Sequence, residues 1–395
     1  MRFLRSSACL LLFFSLSVTA QNRQEKLKKL LDKMEGVAQV SYNTERIIIN
    51  RANGQDLNYT AAAYFDFTST DTLIGAKYRF VNQEHGDQVF NGKIEFMAAN
   101  EQSLVIYDNT PDARRVSSSI FFNPSFYSIR KLVPRLMADA EVKITQEQDI
   151  LLHGKKYPQI SMVLIDKYID MGIKVSPVSE PNQIKFKYTL LIEPDSNLPH
   201  FFGNIRNDGQ DIDGAFFSDY DLNPTFDPKY WQMDYMPKDF MRLSGKEYSQ
   251  RMRNKMKSKV GAMATPWELQ DLEGNTVVFP NPKAPLTLLE FWFPYCQGCV
   301  LAIPVLNAIQ KDYANRGLTV FGIEMTDKPN EMLKKYEAEK GVEVKTLVQG
   351  KEVSKAYGVQ AAPTYFLIDS DGKILFTSIG MREKELRASI EANLQ

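Results

Sequence analysis

At 395 residues, with 48 Lys and Arg balanced by 48 Asp and Glu, the chain is longer than one hydrophobic core usually serves. It is also too neutral overall to present a field that draws nucleic acid or an anionic membrane. An apolar fraction of 44% and a charged fraction of 24% belong to an ordinary folded protein and exclude a fibre or a disordered chain, so two domains are expected.

Arg2 and Arg5 form a short basic region, residues 10–18 are apolar apart from two serines, and Val18-Thr19-Ala20 places a small residue before Gln21. This is the pattern of a secretory signal peptide over residues 1–20, cleaved after Ala20. The apolar stretch is too short to span a bilayer, as is every later run. Cys9 precedes most of it, out of place for a lipid-modified cysteine. The mature protein is expected to be soluble and exported, with Cys296 and Cys299 as its two cysteines. A structural disulfide stabilises chiefly by closing a long loop. Two intervening residues close almost none, so the spacing fits chemistry better than stapling.

Residues 21–245 form the first expected domain. A helix over residues 23–34 carries Leu27, Leu30, Leu31 and Met34 on one stripe. From about residue 40 to 222 the pattern is mostly period two. Residues 183–190 alternate polar and apolar, as do Lys77-Tyr78-Arg79-Phe80 and Lys93-Ile94-Glu95-Phe96. Turn material at Asn91-Gly92, His153-Gly154 and residues 193–197 separates them. Alternation with frequent turns predicts an antiparallel sheet with one buried face, and a second helix fits residues 128–138. Residues 207–214 are rich in Asn, Asp and Gly, but lack the ligand spacing and terminal glutamate of a calcium loop, so a polar hairpin turn is expected there. Residues 246–260 read as a basic linker compatible with a helix, its charges a solvated face.

The second domain, residues 261–395, has a different order of elements. Residues 267–279 read as a hairpin around Glu273-Gly274-Asn275. Residues 286–293 form a near-continuous apolar run, as for a strand buried on both faces. A helix follows from Cys296 to about residue 315, then a strand over 318–325 and a helix over 330–340. Strands at 364–369 and 373–377 flank Ser370-Asp371-Gly372, and Leu386, Ile390 and Leu394 stripe a last helix. Strands and helices in this order predict an α/β layer fold.

Cys296-Gln297-Gly298-Cys299 sits where the buried strand turns into a helix. Unpaired N–H groups and the positive end of the helix dipole favour a thiolate at Cys296. That thiolate can attack a partner disulfide, and Cys299, one turn along, can release the product by closing the internal bridge. The competing reading is half of a zinc site. Zinc takes about four ligands, yet the mature chain has no second cysteine pair, and His85, His153 and His200 lie in the other domain. No metal is therefore expected.

Phe291-Trp292-Phe293-Pro294-Tyr295-Cys296-Gln297-Gly298-Cys299, with Pro304 in the helix, resembles bacterial envelope thioredoxin-like reductases of the TlpA/ResA type. The resemblance continues through Tyr357-Gly358-Val359, residues 362–369 and Asp371-Gly372-Lys373-Ile374. It implies a thioredoxin-like fold with Cys296 attacking and Cys299 resolving. Pro363 matches the family's cis-proline, and Ala362 would offer its backbone to an extended substrate segment. Tyr295 and Trp292, flanking the pair, are assigned to substrate contact. Glu290, six positions before Cys296, matches a buried acid that would take the proton of Cys299; a strand-end glutamate reaching solvent or a lysine is the plainer alternative. Tyr295 stands where the family usually has Trp, and Gln297-Gly298 replaces a pair that is usually Gly-Pro, so the redox potential cannot be borrowed from relatives. Reduction is the family's commonest role; oxidation and isomerisation stay open.

In the first domain, residues 152–157, 191–199 and 217–220 resemble LolA-like lipoprotein carriers, which fold as a curved antiparallel half-barrel around a hydrophobic cavity. Phe65, Phe67, Tyr78, Phe80 and Phe96 fit such a cavity, and fit an ordinary sheet core better. The resulting expectation is an exported periplasmic disulfide reductase acting on protein disulfide or thiol clients, with the sheet domain positioning clients. No nucleotide or flavin fingerprint is present, so the Cys296–Cys299 disulfide is the redox group. The family implies a membrane thiol–disulfide carrier as electron donor. The alternative is a carrier of a hydrophobic or lipid ligand whose second domain serves for docking.

Overall fold

The computed structural model describes residues 25–51, 54–68, 73–84, 86–170, 173–178, 181–206, 209–281 and 284–394. The signal-peptide reading of residues 1–20 lies outside these residues. The chain divides into two compact units, with Gln55–Gly245 in the first and Lys246–Gln395 in the second.

The first unit is built on one twelve-stranded sheet. Its strands run in the spatial order Met241–Ser244, Leu104–Asp108, Glu95–Ala99, Gly86–Phe90, Lys77–Asn82, Gln55–Asp66, Gln39–Asn50, Asp211–Asp221, Pro199–Arg206, Lys185–Ile192, Gln159–Ile165 and Lys143–Gln146. Every pairing is antiparallel except that of Met241–Ser244 with Leu104–Asp108. Of the polar stretch 207–214, Asp211–Gly214 belong to a strand paired antiparallel with Pro199–Arg206; Asn207 and Asp208 fall outside the described residues.

Alternation decides which side of this sheet is covered. Val40, Tyr42, Thr44 and Arg46 share one face of Gln39–Asn50 and are all buried. The helix Phe126–Ala138 starts at a capping box formed by Ser125 and Ser128, and buries Phe126, Ile129, Leu132, Val133 and Leu136. A helix over residues 25–35 adds Leu27, Leu30 and Met34 to the same core. Phe65 has ring neighbours at 5.7–6.3 Å in Tyr42, Phe67, Tyr78, Phe80, Phe122 and Tyr127. The aromatics that could have lined a cavity thus fill the interior, and Phe96 packs in a separate cluster with Val89, Val105 and Met236. Arg46 is tolerated on the buried face because it donates to the carbonyl oxygens of Ile47, Ile120 and Gly214 and pairs with Asp213.

The helix α1 (Gly245–Lys257) begins at the last residue of the first unit and continues into the second. The segment read as a basic linker is therefore helical through most of its length, and its Met256 is buried in this unit's core. Then follow β1 (Trp267–Asp271), β2 (Thr276–Phe279), β3 (Leu286–Trp292), α2 (Gln297–Tyr313), β4 (Leu318–Glu324), α3 (Asn330–Lys340), β5 (Lys345–Val348), α4 (Lys351–Ala356), β6 (Thr364–Asp369), β7 (Ile374–Ile379) and α5 (Glu383–Asn393). The sheet order is β2-β1-β5-β4-β3-β6-β7. β3 pairs in parallel with β4 and antiparallel with β6, so it is central and buried along its whole length. The element order predicts an α/β layer fold, and this mixed sheet is one; it is thioredoxin-like, as the family resemblance implies. β5 and α4 were not read from the sequence, because four-residue and six-residue elements carry too little periodicity.

The two faces of β3 point into different cores. Leu289 and Phe291 pack with Trp267, Phe366 and Tyr357. Leu286 and Leu288 pack with Ala302, Leu306 and Ile309 of α2 and Leu386 and Ile390 of α5. By the same period of two, Glu290 points toward α2. Among the described residues no helix is long and apolar enough to cross a membrane.

Phe65→Ala removes the hub of the aromatic cluster in the first unit. The expected cost is about 4 kcal/mol, read as a lower denaturant midpoint for that unit at unchanged slope.

Candidate functional site

The chain leaves β3 at Trp292 and turns through Phe293, Pro294 and Tyr295 before α2 begins. Tyr295 takes a left-handed backbone conformation, φ 62°, uncommon for a residue with a Cβ. Its ring meets Tyr336 of α3 edge-on at 5.2 Å, and Trp292 stacks on Tyr336 at 5.5 Å. This aromatic stack holds the turn that delivers Cys296 to the helix.

Cys296 is the N-cap of α2. The backbone N–H of Cys299 donates to Cys296 Sγ at 3.3 Å, so one otherwise orphaned helix N–H is aimed at that sulfur. Cys296 and Cys299 are joined in a disulfide. Both are buried, with Cys296 the more open at 8% against 3%. When the bridge is reduced, the N–H and the helix dipole favour a thiolate at Cys296, whereas Cys299 lies within the first turn among Trp292, Leu333 and Tyr336.

The start of β6 forms the opposite wall. The Ala362–Pro363 bond is cis, and the Ala362 carbonyl oxygen lies 3.6 Å from Cys296 Sγ. A Cβ built on Gly298 would stand 3.0 Å from Pro363 Cδ. Glycine within the dipeptide therefore allows α2 to sit against the proline ring, which the sequence did not reveal. At the rim, Tyr295 is half exposed and Leu301 is exposed.

Beneath Cys299 lies Glu290, 7% exposed. Desolvation pushes its carboxyl up to about 8, and a hydrogen bond from Tyr365 opposes part of that rise. Tyr365 is its cross-strand partner on β6, and the phenol donates to Glu290 Oε1 at 2.9 Å. A small cavity of about 20 Å³ borders Glu290, Cys299, Trp292, Gly322, Tyr336 and Thr346, about the size of one water.

Cys296, Cys299, Ala362 and Pro363 thus come together, with Glu290 behind Cys299 and Tyr295 at the rim. Trp292 departs from its assigned role. It is buried against Tyr336 and borders the Glu290 cavity, so it shapes the floor of the site and is shielded from a client. Tyr336 and Tyr365 were not singled out from the sequence. Tyr365 stands two positions after Pro363, and only the β3–β6 register reveals what it faces. Among the described residues no group of three or more His, Cys, Asp or Glu is placed to hold a metal ion; His85 lies outside them.

The first unit holds a cleft of about 320 Å³ lined by Arg46, Tyr168, Phe186, Tyr188, Asn204 and Asp213. Its lining mixes charge, amide and aromatic groups, unlike the all-apolar wall that a lipid chain would favour.

Residues 260–377 match the AhpC/TSA family. The thiol-disulfide oxidoreductase ResA of Bacillus thuringiensis (strain Al Hakam) is 29% identical over 133 residues, which cover 33% of this chain and 76% of that protein. The thioredoxin-like protein YneN of Bacillus subtilis (strain 168) is 25% identical over 134 residues, covering 33% of this chain and 78% of that protein. Among solved structures, a thiol:disulfide interchange protein from Bacteroides sp. is 27% identical and covers 34% of this chain and 90% of its own, with a TM-score of 0.32. The first unit lies outside the AhpC/TSA match and is unidentified.

An unfolded glutamate ionises near 4.5, whereas folded Glu290 does so near 8. Between these values the folded protein holds the extra proton, so stability is full below about pH 4.5 and falls as pH rises to about 8. The loss can reach about 5 kcal/mol. Hydrogen exchange of the β3 amides should show this decline, and Glu290→Gln should flatten it.

Proposed function

We propose that the second unit, a thioredoxin-like domain related to ResA-type thiol–disulfide oxidoreductases, reduces disulfides in exported client proteins. The reading rests on one observation above the rest: a bridged Cys296–Cys299 pair at a helix N-terminus, walled by Ala362-Pro363.

In the reduced enzyme the Cys296 thiolate attacks one sulfur of a client disulfide. The client S–S bond breaks, a bond forms between Cys296 and that sulfur, and the other client sulfur leaves as a thiolate. Cys299 then gives its proton to the Glu290 carboxylate and attacks Cys296 Sγ. The mixed disulfide breaks, the second client sulfur leaves, and the Cys296–Cys299 bridge closes. The client gains two electrons and leaves as two thiolates, which take up protons from solvent; the proton held on Glu290 is returned to solvent, and the pair is oxidised. A thiol donor outside the chain, which the family resemblance points to as a membrane thiol–disulfide carrier, returns the two electrons. Ala362 offers its backbone to an extended client segment and Tyr295 contributes rim surface.

The signal-peptide pattern of residues 1–20 supports export, and we propose the periplasm as the site of this activity. The first unit, whose cleft mixes polar and aromatic groups, would recruit or position clients.

With Cys299→Ser, reduced protein should accumulate a mixed disulfide with insulin or envelope clients, visible by mass spectrometry and on non-reducing gels. With Cys296→Ser no such adduct should form, and insulin reduction should fall at least about a thousandfold. A reduction potential near or below about −270 mV would support reduction, and one near about −120 mV would reverse the direction. Glu290→Gln should slow release of the mixed disulfide near neutral pH; single-turnover kinetics identical to the parent protein's would remove Glu290 from the mechanism.

A further inference from the structure

We propose that Tyr365 is the positioning residue of the exchange site: its buried phenol anchors one oxygen of Glu290, leaving the other to serve Cys299, and so sets the pH range in which the mixed disulfide is released. This rests on the reading of Glu290 as proton acceptor for Cys299.

The geometry begins with register. Glu290 and Tyr365 are directly opposed across the antiparallel β3–β6 pair, and both side chains point to the α2 side of the sheet. Tyr365 is fully buried, so its hydroxyl has no bulk water to bond and must find an acceptor inside the protein. That acceptor is Glu290 Oε1, at 2.9 Å. The Glu290 side chain also borders the small cavity it shares with Cys299. A carboxylate free to rotate in that space could turn either oxygen toward the phenol or the thiol. Anchoring one oxygen fixes the other.

The same bond selects a protonation state. A phenol donates best to a carboxylate, so Tyr365 favours the ionised form of Glu290 against the desolvation that favours the acid. Tyr365 itself stays protonated, because burial and the neighbouring carboxyl both push its ionisation far upward. The other groups facing Glu290 do not duplicate this effect. The cavity beside Glu290 is lined by Cys299 and Asn307 from α2, Gly322 from β4, Thr346 from β5 and Tyr336 from α3; the Asn307 amide donates to the Gly341 carbonyl oxygen, and the Tyr336 phenol engages the backbone of Tyr295. No Lys or Arg borders that cavity, so the Tyr365 hydroxyl is the group that offsets desolvation.

The position was chemically open. Thr364 and Phe366 flank Tyr365; Phe366 faces the opposite core, and the Thr364 hydroxyl donates to Ala361 O. A phenylalanine at 365 would preserve the packing with Leu288, Leu367 and Leu386 and delete only the donor.

The test is the pH profile of mixed-disulfide release in the full mature chain, followed by stopped flow with a thiol-linked chromophore on Cys296. Variants are Tyr365→Phe, Glu290→Gln and the double substitution, each checked for an unaltered melting transition at pH 5. Tyr365→Phe should move the profile's midpoint upward by about one pH unit. Release at pH 7 should slow by about three- to tenfold, and the high-pH plateau should be retained. In the Glu290→Gln background the same substitution should leave the profile unmoved. A Tyr365→Phe profile that superimposes on the parent's, or an equal shift with and without Glu290, overturns the assignment of Tyr365. If Glu290→Gln itself leaves the profile unchanged, the reading of Glu290 has failed and this inference goes with it.

Discussion

A carboxyl group placed in the middle of a strand that is otherwise dry governs the second unit. β3 is central in its sheet and buried along its length, and Glu290 is its single ionisable residue. Removing a carboxylate from water costs several kcal/mol. The protein meets that cost by holding the proton to high pH and by supplying a phenol from the next strand. Such a group weakens the unit as pH rises, so its presence has to be explained by what it does for the sulfur above it.

The two cysteines have opposite electrostatic requirements. The attacking sulfur must be a thiolate before a client arrives, whereas the resolving sulfur should keep its proton until a mixed disulfide exists. One turn of helix separates these conditions. Cys296 occupies the N-cap, where an N–H points at it, and Cys299 lies inside, over a neutral carboxyl that becomes a base when it loses its proton. The wall of Ala362 and Pro363 brings a backbone carbonyl to Cys296, and Gly298 lets the helix approach that wall. The Gln-Gly dipeptide, a departure from the family's usual pair, is thus tied to packing against the proline.

The first unit follows different physics. Its sheet is long, nearly all antiparallel, and covered on one face by two helices, so the aromatics of that face around Phe65 are consumed in the core. Accessible space in this unit includes a cleft of mixed polarity beside a buried Arg46. The turn phrases that resemble lipoprotein carriers specify strand and loop geometry, which many antiparallel sheets share. They carry no chemistry by which to identify a ligand.

Much of this protein was legible in the sequence, because local patterns report local physics. Period two marked the strands of the first unit, the apolar run of residues 286–293 marked a strand buried on both faces, and a Cys-x-x-Cys at a strand–helix junction marked the redox pair. The single acid in that run marked Glu290. The rest depended on pairing between distant segments. Tyr365 is 75 residues from Glu290, Pro363 meets Gly298 from a similarly distant segment, and Trp292 is shielded by Tyr336 from a later helix. No periodicity encodes such meetings, because a side chain's partner is set by strand register and by which helix covers which face. The sequence by itself determined which residues could do the chemistry; the tertiary structure decided their surroundings, and with them which sulfur is poised as a thiolate and which acid keeps its proton.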